Sequence, residues 1–164
     1  MKTNALRILS LLLAILAMTL TFAACDRSAS DEGYVFKTAD GTKIAIGDTD
    51  EVVTANLGTP LSEISSASCG GFEGKDYVYT YKGFRVSTTP AAKGQIVCKI
   101  ELTDDSVKTP EGLYIGMSRA DAEAAMKGKT AESVGENLVY TAGGTKLQVV
   151  FRDGAVSGIL YVAK

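Results

Sequence analysis

Three cysteines are the chain's most reactive side chains, and their settings assign them different chemistry. Cys25 follows a basic start (Lys2, Arg7), an apolar run over residues 8–22 broken only by Ser10, Thr19 and Thr21, and the small pair Ala23-Ala24. That is the layout of a secretory signal: charge, an apolar stretch too short to span a bilayer well, then small residues. Cys69 and Cys98 remain beyond it. An even pair in an exported chain reads as a disulfide. On the chain-entropy account, closing a loop of about 30 residues stabilises a fold by roughly 3–4 kcal/mol. The alternative is two unpaired thiols, one of them on a strand. Neither belongs to a Cys-x-x-Cys redox motif.

Other reactive groups are sparse. The chain has no histidine, which removes the side chain best suited to proton transfer near neutral pH and the commonest metal ligand. Asp48-Thr49-Asp50-Glu51 begins like a calcium loop but lacks the later Gly and terminal Glu, so first-turn helix acids account for it better. Asp104-Asp105 reads as a solvated loop. Gly70-Gly71 and Gly143-Gly144 lack the strand-loop-helix context of a phosphate site, and Gly-x-Ser-x-Gly is absent. With no nucleophile–base pair, the sequence predicts neither an enzyme nor a cofactor or metal site. Losing Lys2 and Arg7 with the signal leaves a net charge of about −4, which argues against a nucleic-acid partner.

The Ala23-Ala24-Cys25 ending resembles the lipobox of bacterial lipoproteins, with Phe22 where Leu is usual. The resemblance implies a signal peptide over 1–24, cleavage before Cys25 and lipidation (palmitate among the chains) of its thiol and new amine. Acyl chains supply about 0.8 kcal/mol per buried CH₂, and two or more make a stable anchor. The expected location is therefore the bacterial cell envelope, outside the cytoplasm, held to a membrane by lipid. Residues 25–32 read as the lipidated Cys and a polar tether. Asp26 after the Cys resembles an inner-membrane retention signal of diderm enterobacteria.

Beyond the tether the chain repeats itself. Lys37-Thr38-Ala39-Asp40-Gly41 returns as Lys108-Thr109-Pro110-Glu111-Gly112, Ile46-Gly47 as Ile115-Gly116, and Tyr79-Thr80 as Tyr140-Thr141. Each copy reads as a helix and three strands. Asp48 and Ser118 are the expected caps of helices over 49–57 and 119–127, with Glu51 placed for a capping box. Period-two alternation predicts strands over 77–81, 84–88 and 96–102, then 138–141, 146–151 and 155–162. Lys82-Gly83, Gly143-Gly144 and Asp153-Gly154 supply hairpin turns. A leading hairpin (34–38, 43–46) opens the fold.

Ile115-Gly116-Met117-Ser118 at a helix start and Leu57-Gly58-Thr59-Pro60 at a helix stop resemble the SmpA/OmlA (BamE-like) and beta-lactamase-inhibitory-protein group. The second copy departs from that pattern, with Gly128-Lys129-Thr130 after its helix. The resemblance implies helices packed on one face of an antiparallel sheet and members that act by binding proteins. The expected fold is α+β: two tandem helix-plus-three-strand repeats, 33–107 and 108–164.

Two surfaces stand out for a protein partner. Tyr77, Tyr79 and Tyr81 share one strand face, either an aromatic docking stripe or core, and the apolar equivalents Leu138 and Tyr140 favour core. In the last strand, Val156, Leu160 and Val162 alternate with Ile159 and Tyr161, which Val150 on the neighbouring strand joins. The first copy has Val97, Lys99 and Glu101 on that side. Surplus apolar residues there are either a partner surface or packing between the copies. The expected function is a lipid-anchored extracytoplasmic protein-binding module, in envelope assembly or as an inhibitor; the alternative is a small-ligand or cell-wall-sensing lipoprotein.

Overall fold

The computed structural model describes residues 33–164; the signal peptide, Cys25 and the tether through residue 32 lie outside the described residues. The chain enters at Gly33 with no room for a side chain: a Cβ there would lie 2.7 Å from Thr145 Oγ1. Tyr34 N–H then donates to that hydroxyl at 2.6 Å. A two-residue hairpin follows, β1 (Phe36–Lys37) and β2 (Lys43–Ile44). Next come α1 (Asp50–Leu57), β3 (Ser62–Ala67), β4 (Lys75–Tyr81), β5 (Phe84–Ala91) and β6 (Gly94–Leu102). The second half runs α2 (Arg119–Ala125), β7 (Ala131–Val134), β8 (Asn137–Ala142), β9 (Thr145–Arg152) and β10 (Ala155–Ala163).

All strands from β3 onward form one eight-stranded antiparallel sheet in the order β3-β4-β5-β6-β10-β9-β8-β7. This corrects the expectation of two tandem helix-plus-three-strand repeats. The molecule is chiefly sheet, and the two helices are short. Each half gives four strands, and the halves merge where β6 pairs β10, Ile159 opposite Leu102 and Tyr161 opposite Ile100. Both missed strands, β3 and β7, are the sheet's edges. Their Ser- and Glu-bearing sequences bury little, so alternation left no signal in them.

The helices cover the inner face only in part, burying Val53 from α1 and Ala122 from α2. The opening hairpin fills the centre. Phe36 packs on Phe84 of β5 (4.7 Å between ring centres) and edge-on to Tyr161 of β10 (5.9 Å), so one side chain ties the two halves. Fully burying side chains of this size stabilises a fold by about 1.5–3 kcal/mol each. Leu113, Val107 and Met126 complete the cover. No helix among the described residues is long and apolar enough to cross a membrane.

The helices are hung on the sheet in the same way in both halves. Gly47 N donates to Val97 O and Val97 N to Asp48 O, both at 2.8 Å. Gly116 N donates to Val156 O at 2.7 Å and Val156 N to Met117 O at 2.8 Å. The caps differ. Ser118 accepts from Asp121 N at 3.2 Å and donates to its carboxylate at 2.6 Å. Asp48, expected to cap α1, instead accepts from Ala45 N at 2.7 Å, and the residue at the cap, Thr49, makes no side-chain cap bond.

Candidate functional site

Two β-bulges decide which residues face out. On β6, Ser87 pairs with Lys99 but Thr88 with Val97, so Cys98 is an extra residue. On β10, Val150 pairs with Gly158 but Phe151 with Val156, so Ser157 is extra. Each bulge displaces a ladder partner, and the extra side chain answers it. Cys98 Sγ–H donates to Ser87 O and Ser157 Oγ–H to Val150 O, each at 3.3 Å. Cys98 therefore corresponds to Ser157 rather than to Gly158. Its thiol is free, as is that of the exposed Cys69, so the expected Cys69–Cys98 bond is not formed. Burial, then the nearby Asp76, pushes the Cys98 thiol above its ordinary pKa.

Past each bulge the alternation flips. Val97 and Val156 point into the core together with Ile100, Leu102, Ile159 and Tyr161. Ile159 and Tyr161, expected on a partner surface, are 0% exposed and sit at the centre of the core. Tyr161's hydroxyl is buried without a hydrogen-bond partner, and burial and the charge of Glu111 raise its pKa.

The tyrosine stripe lies on the same inner side. Tyr81 is core, stacked on Phe84 at 5.2 Å, and Tyr79 packs at the core margin. Tyr77, half-buried, stacks on Tyr79 at 5.9 Å. Burial first, and Asp50 next, raise the Tyr79 pKa. Of the expected partner residues, Val150 alone is on the open face, and the other five are turned away from it.

The open face carries different apolar residues. Register sets Val134 opposite Asn137, Val139 between Glu132 and Gln148, and Val150 opposite Gly158, with Leu160 opposite Gln148 and Val162 opposite Lys146. Val134, Val139 and Val150 line a groove of about 240 Å³ together with Glu132, Asn137, Lys146 and Gln148. Asn137 is held in place by accepting Phe151 N–H at 3.1 Å. The first half's open face is more polar, with Thr80, Arg85, Ser87 and the Lys99–Glu101 ion pair at 3.5 Å, and its apolar residues Ile64 and Val78 lie toward the β3 edge. Val139 was legible by alternation in the expected strand over 138–141, whereas Val134 lies in the edge strand that alternation missed, and Leu160 and Val162 were hidden by the bulge at Ser157.

A second concavity, about 420 Å³, lies at the end of α1 against the β4–β5 turn, lined by Leu57, Tyr81, Phe84 and Val107 with Asp40 and Lys82 at its mouth. Tyr77 and Tyr79 are not part of it. Among the described residues no three acidic or thiol side chains converge to hold a metal ion.

No family model matches the chain, and no curated protein matches it in sequence. Among solved structures, it is similar to an extracellular protein containing a SCP domain from Bacillus anthracis str. Ames, known at 1.5 Å resolution. The TM-score is 0.50 at 16% identity, over 73% of this chain and 44% of that one. The likeness is one of fold, and the chain spans less than half the length of that protein.

Proposed function

We propose that the chain is a lipid-anchored, extracytoplasmic protein-binding module without catalytic activity of its own, and that it receives its partner on the second half of the open sheet face. The observation that carries this reading is the groove on the second half of the open face, where Val134, Val139, Val150, Leu160 and Val162 alternate with Glu132, Asn137, Gln148 and Lys146. An antiparallel sheet with one covered face normally carries polar residues on the other. The first half does so except at Ile64 and Val78 near its outer edge. Apolar side chains set among polar ones on an uncovered sheet face suit recognition of a protein, whose side chains would desolvate them.

Three further points support it. Residues 1–25 have the layout of a lipoprotein signal. The similar Bacillus anthracis structure is described as an extracellular protein. The SmpA/OmlA and beta-lactamase-inhibitory-protein resemblance implies partners that are proteins. The small-ligand reading has one observation in its favour, the 420 Å³ cleft, but Tyr81 is the only tyrosine lining it.

The test uses intact cells producing the full chain, with a photo-crosslinking side chain at Leu160 or Val150, and at Ser87 as the polar control on the same face. A discrete adduct with another protein from the first two positions, absent from Ser87 and lost with Val139→Asp, is the expected result. Equal labelling from Ser87, or no protein adduct, removes the reading and directs attention to the cleft. Palmitate labelling in the same cells, abolished by Cys25→Ser, checks the anchor independently.

A further inference from the structure

Three of the four large apolar side chains exposed in the first half gather at one edge. Leu61 (75% exposed), Ile64 (66%) and Phe72 (49%) lie on β3 or beside it. An edge strand offers a row of backbone N–H and C=O groups with no strand partner, and natural sheets blunt such edges with shortness, Lys, Pro or a bulge. The opposite edge, β7, is blunted by length, at four residues. β3 has six residues, all exposed, and pairs with β4 from Ser62 to Ala67 without a bulge. It contains neither Lys nor Pro, and its one charge is Glu63.

We propose that β3 is a dimerisation edge whose occupant is β3 of a second copy, paired antiparallel about a two-fold axis along the sheet normal. Such an axis keeps every side chain on its own face, so the pairing must be centred on a residue. Centring on Glu63 sets two carboxylates directly opposite one another, which destabilises the pair. Centring on Ser65 sets Ile64 against Ser66. Centring on Ile64 sets that side chain against its own copy, Glu63 against Ser65, Ser62 against Ser66 and Leu61 against Ala67. Apolar then meets apolar and the carboxylate meets a hydroxyl, so the seven residues from Leu61 to Ala67 are complementary to themselves.

The two Glu63 carboxylates become diagonal neighbours, about 7–8 Å apart, so added salt favours the dimer by screening them. The contact is isologous and closes on itself. The edges left over are the two β7 strands, each four residues long, so the pairing closes at two copies rather than extending along the sheet. The groove lies at the other end of the sheet and stays free in the dimer.

The test is disulfide trapping in the full chain carrying Cys69→Ser, which removes the exposed native thiol. Under mild oxidation, Ile64→Cys is expected to give a covalent dimer roughly tenfold faster than Ser65→Cys or Val134→Cys, because only residue 64 faces its own copy across the pair. The parent Cys69→Ser chain sets the background rate. In parallel, Ile64→Lys, a fully tolerable change at an exposed site, is expected to halve the mass found by sedimentation with an unchanged circular dichroism spectrum. No excess dimer from Ile64→Cys, equal trapping at Val134→Cys, or an unchanged mass with Ile64→Lys overturns the proposal.

Discussion

Cys98 and Ser157 do the same work with different atoms, a thiol and a hydroxyl, and the difference predicts what substitutions at Cys98 do. A thiol is a weak donor, so replacing it by a hydroxyl at Cys98 keeps the bond to Ser87 O with a better one. Cys98→Ser is expected to hold or raise the urea midpoint. Cys98→Ala leaves the displaced carbonyl without its side-chain donor and is expected to cost about 0.5–1 kcal/mol. Reactivity follows from burial. Exposed Cys69 is expected to react with a thiol reagent at neutral pH roughly tenfold or more faster than Cys98, whose half-buried thiol resists ionisation. Equal rates, or a protein that reacts only after reduction, would show that the bulge geometry is wrong.

Elements differ in how well local residues hold them. α2 is capped by reciprocal bonds between Ser118 and Asp121, whereas Thr49 at the start of α1 contributes none. Ser118→Ala is therefore expected to lower stability by about 1 kcal/mol and Thr49→Ala by only a few tenths, read from paired urea titrations. A loss at Thr49 matching that at Ser118 would refute the assignment. The same scale shows what was legible in the sequence. Six strands were visible because alternating apolar residues with Gly turns mark them, and all six extend a residue or more beyond the expected bounds. The faces of β6 and β10 were not legible past Cys98 and Ser157. A single inserted residue inverts the parity of everything after it, and nothing in either side chain announces an insertion. That is why Ile159 and Tyr161 read as surface while Leu160 and Val162 read as core. The edge strands were silent for the opposite reason, having no buried face to pattern.

At the scale of the molecule, the titrating groups that burial perturbs fall on the alkaline side. There is no histidine, so stability is expected to be nearly flat between about pH 6 and 8. Tyr34, Tyr79, Tyr81, Tyr140 and Tyr161 all have pKa values raised chiefly by burial, and Cys98 follows them. Below the ordinary tyrosine pKa of about 10, both folded and unfolded chains keep these protons and nothing is lost. Above it the unfolded chain releases them while the folded chain still holds them, so the unfolded state binds fewer protons and stability falls as pH rises. Each fully retained proton removes about 1.4 kcal/mol per pH unit, and several acting together make the loss steep. Cys98 starts the decline earlier, from about pH 8.5. Tyr161→Phe isolates the deepest contributor. Its hydroxyl has no partner to lose, so the variant is expected to match the parent at pH 7 and to unfold later above about pH 10. Urea midpoints across that range decide it: a parent curve that stays flat to about pH 11 would mean that water reaches these phenols, and that the core joining the two halves is looser than its packing around Phe36 and Tyr161 implies.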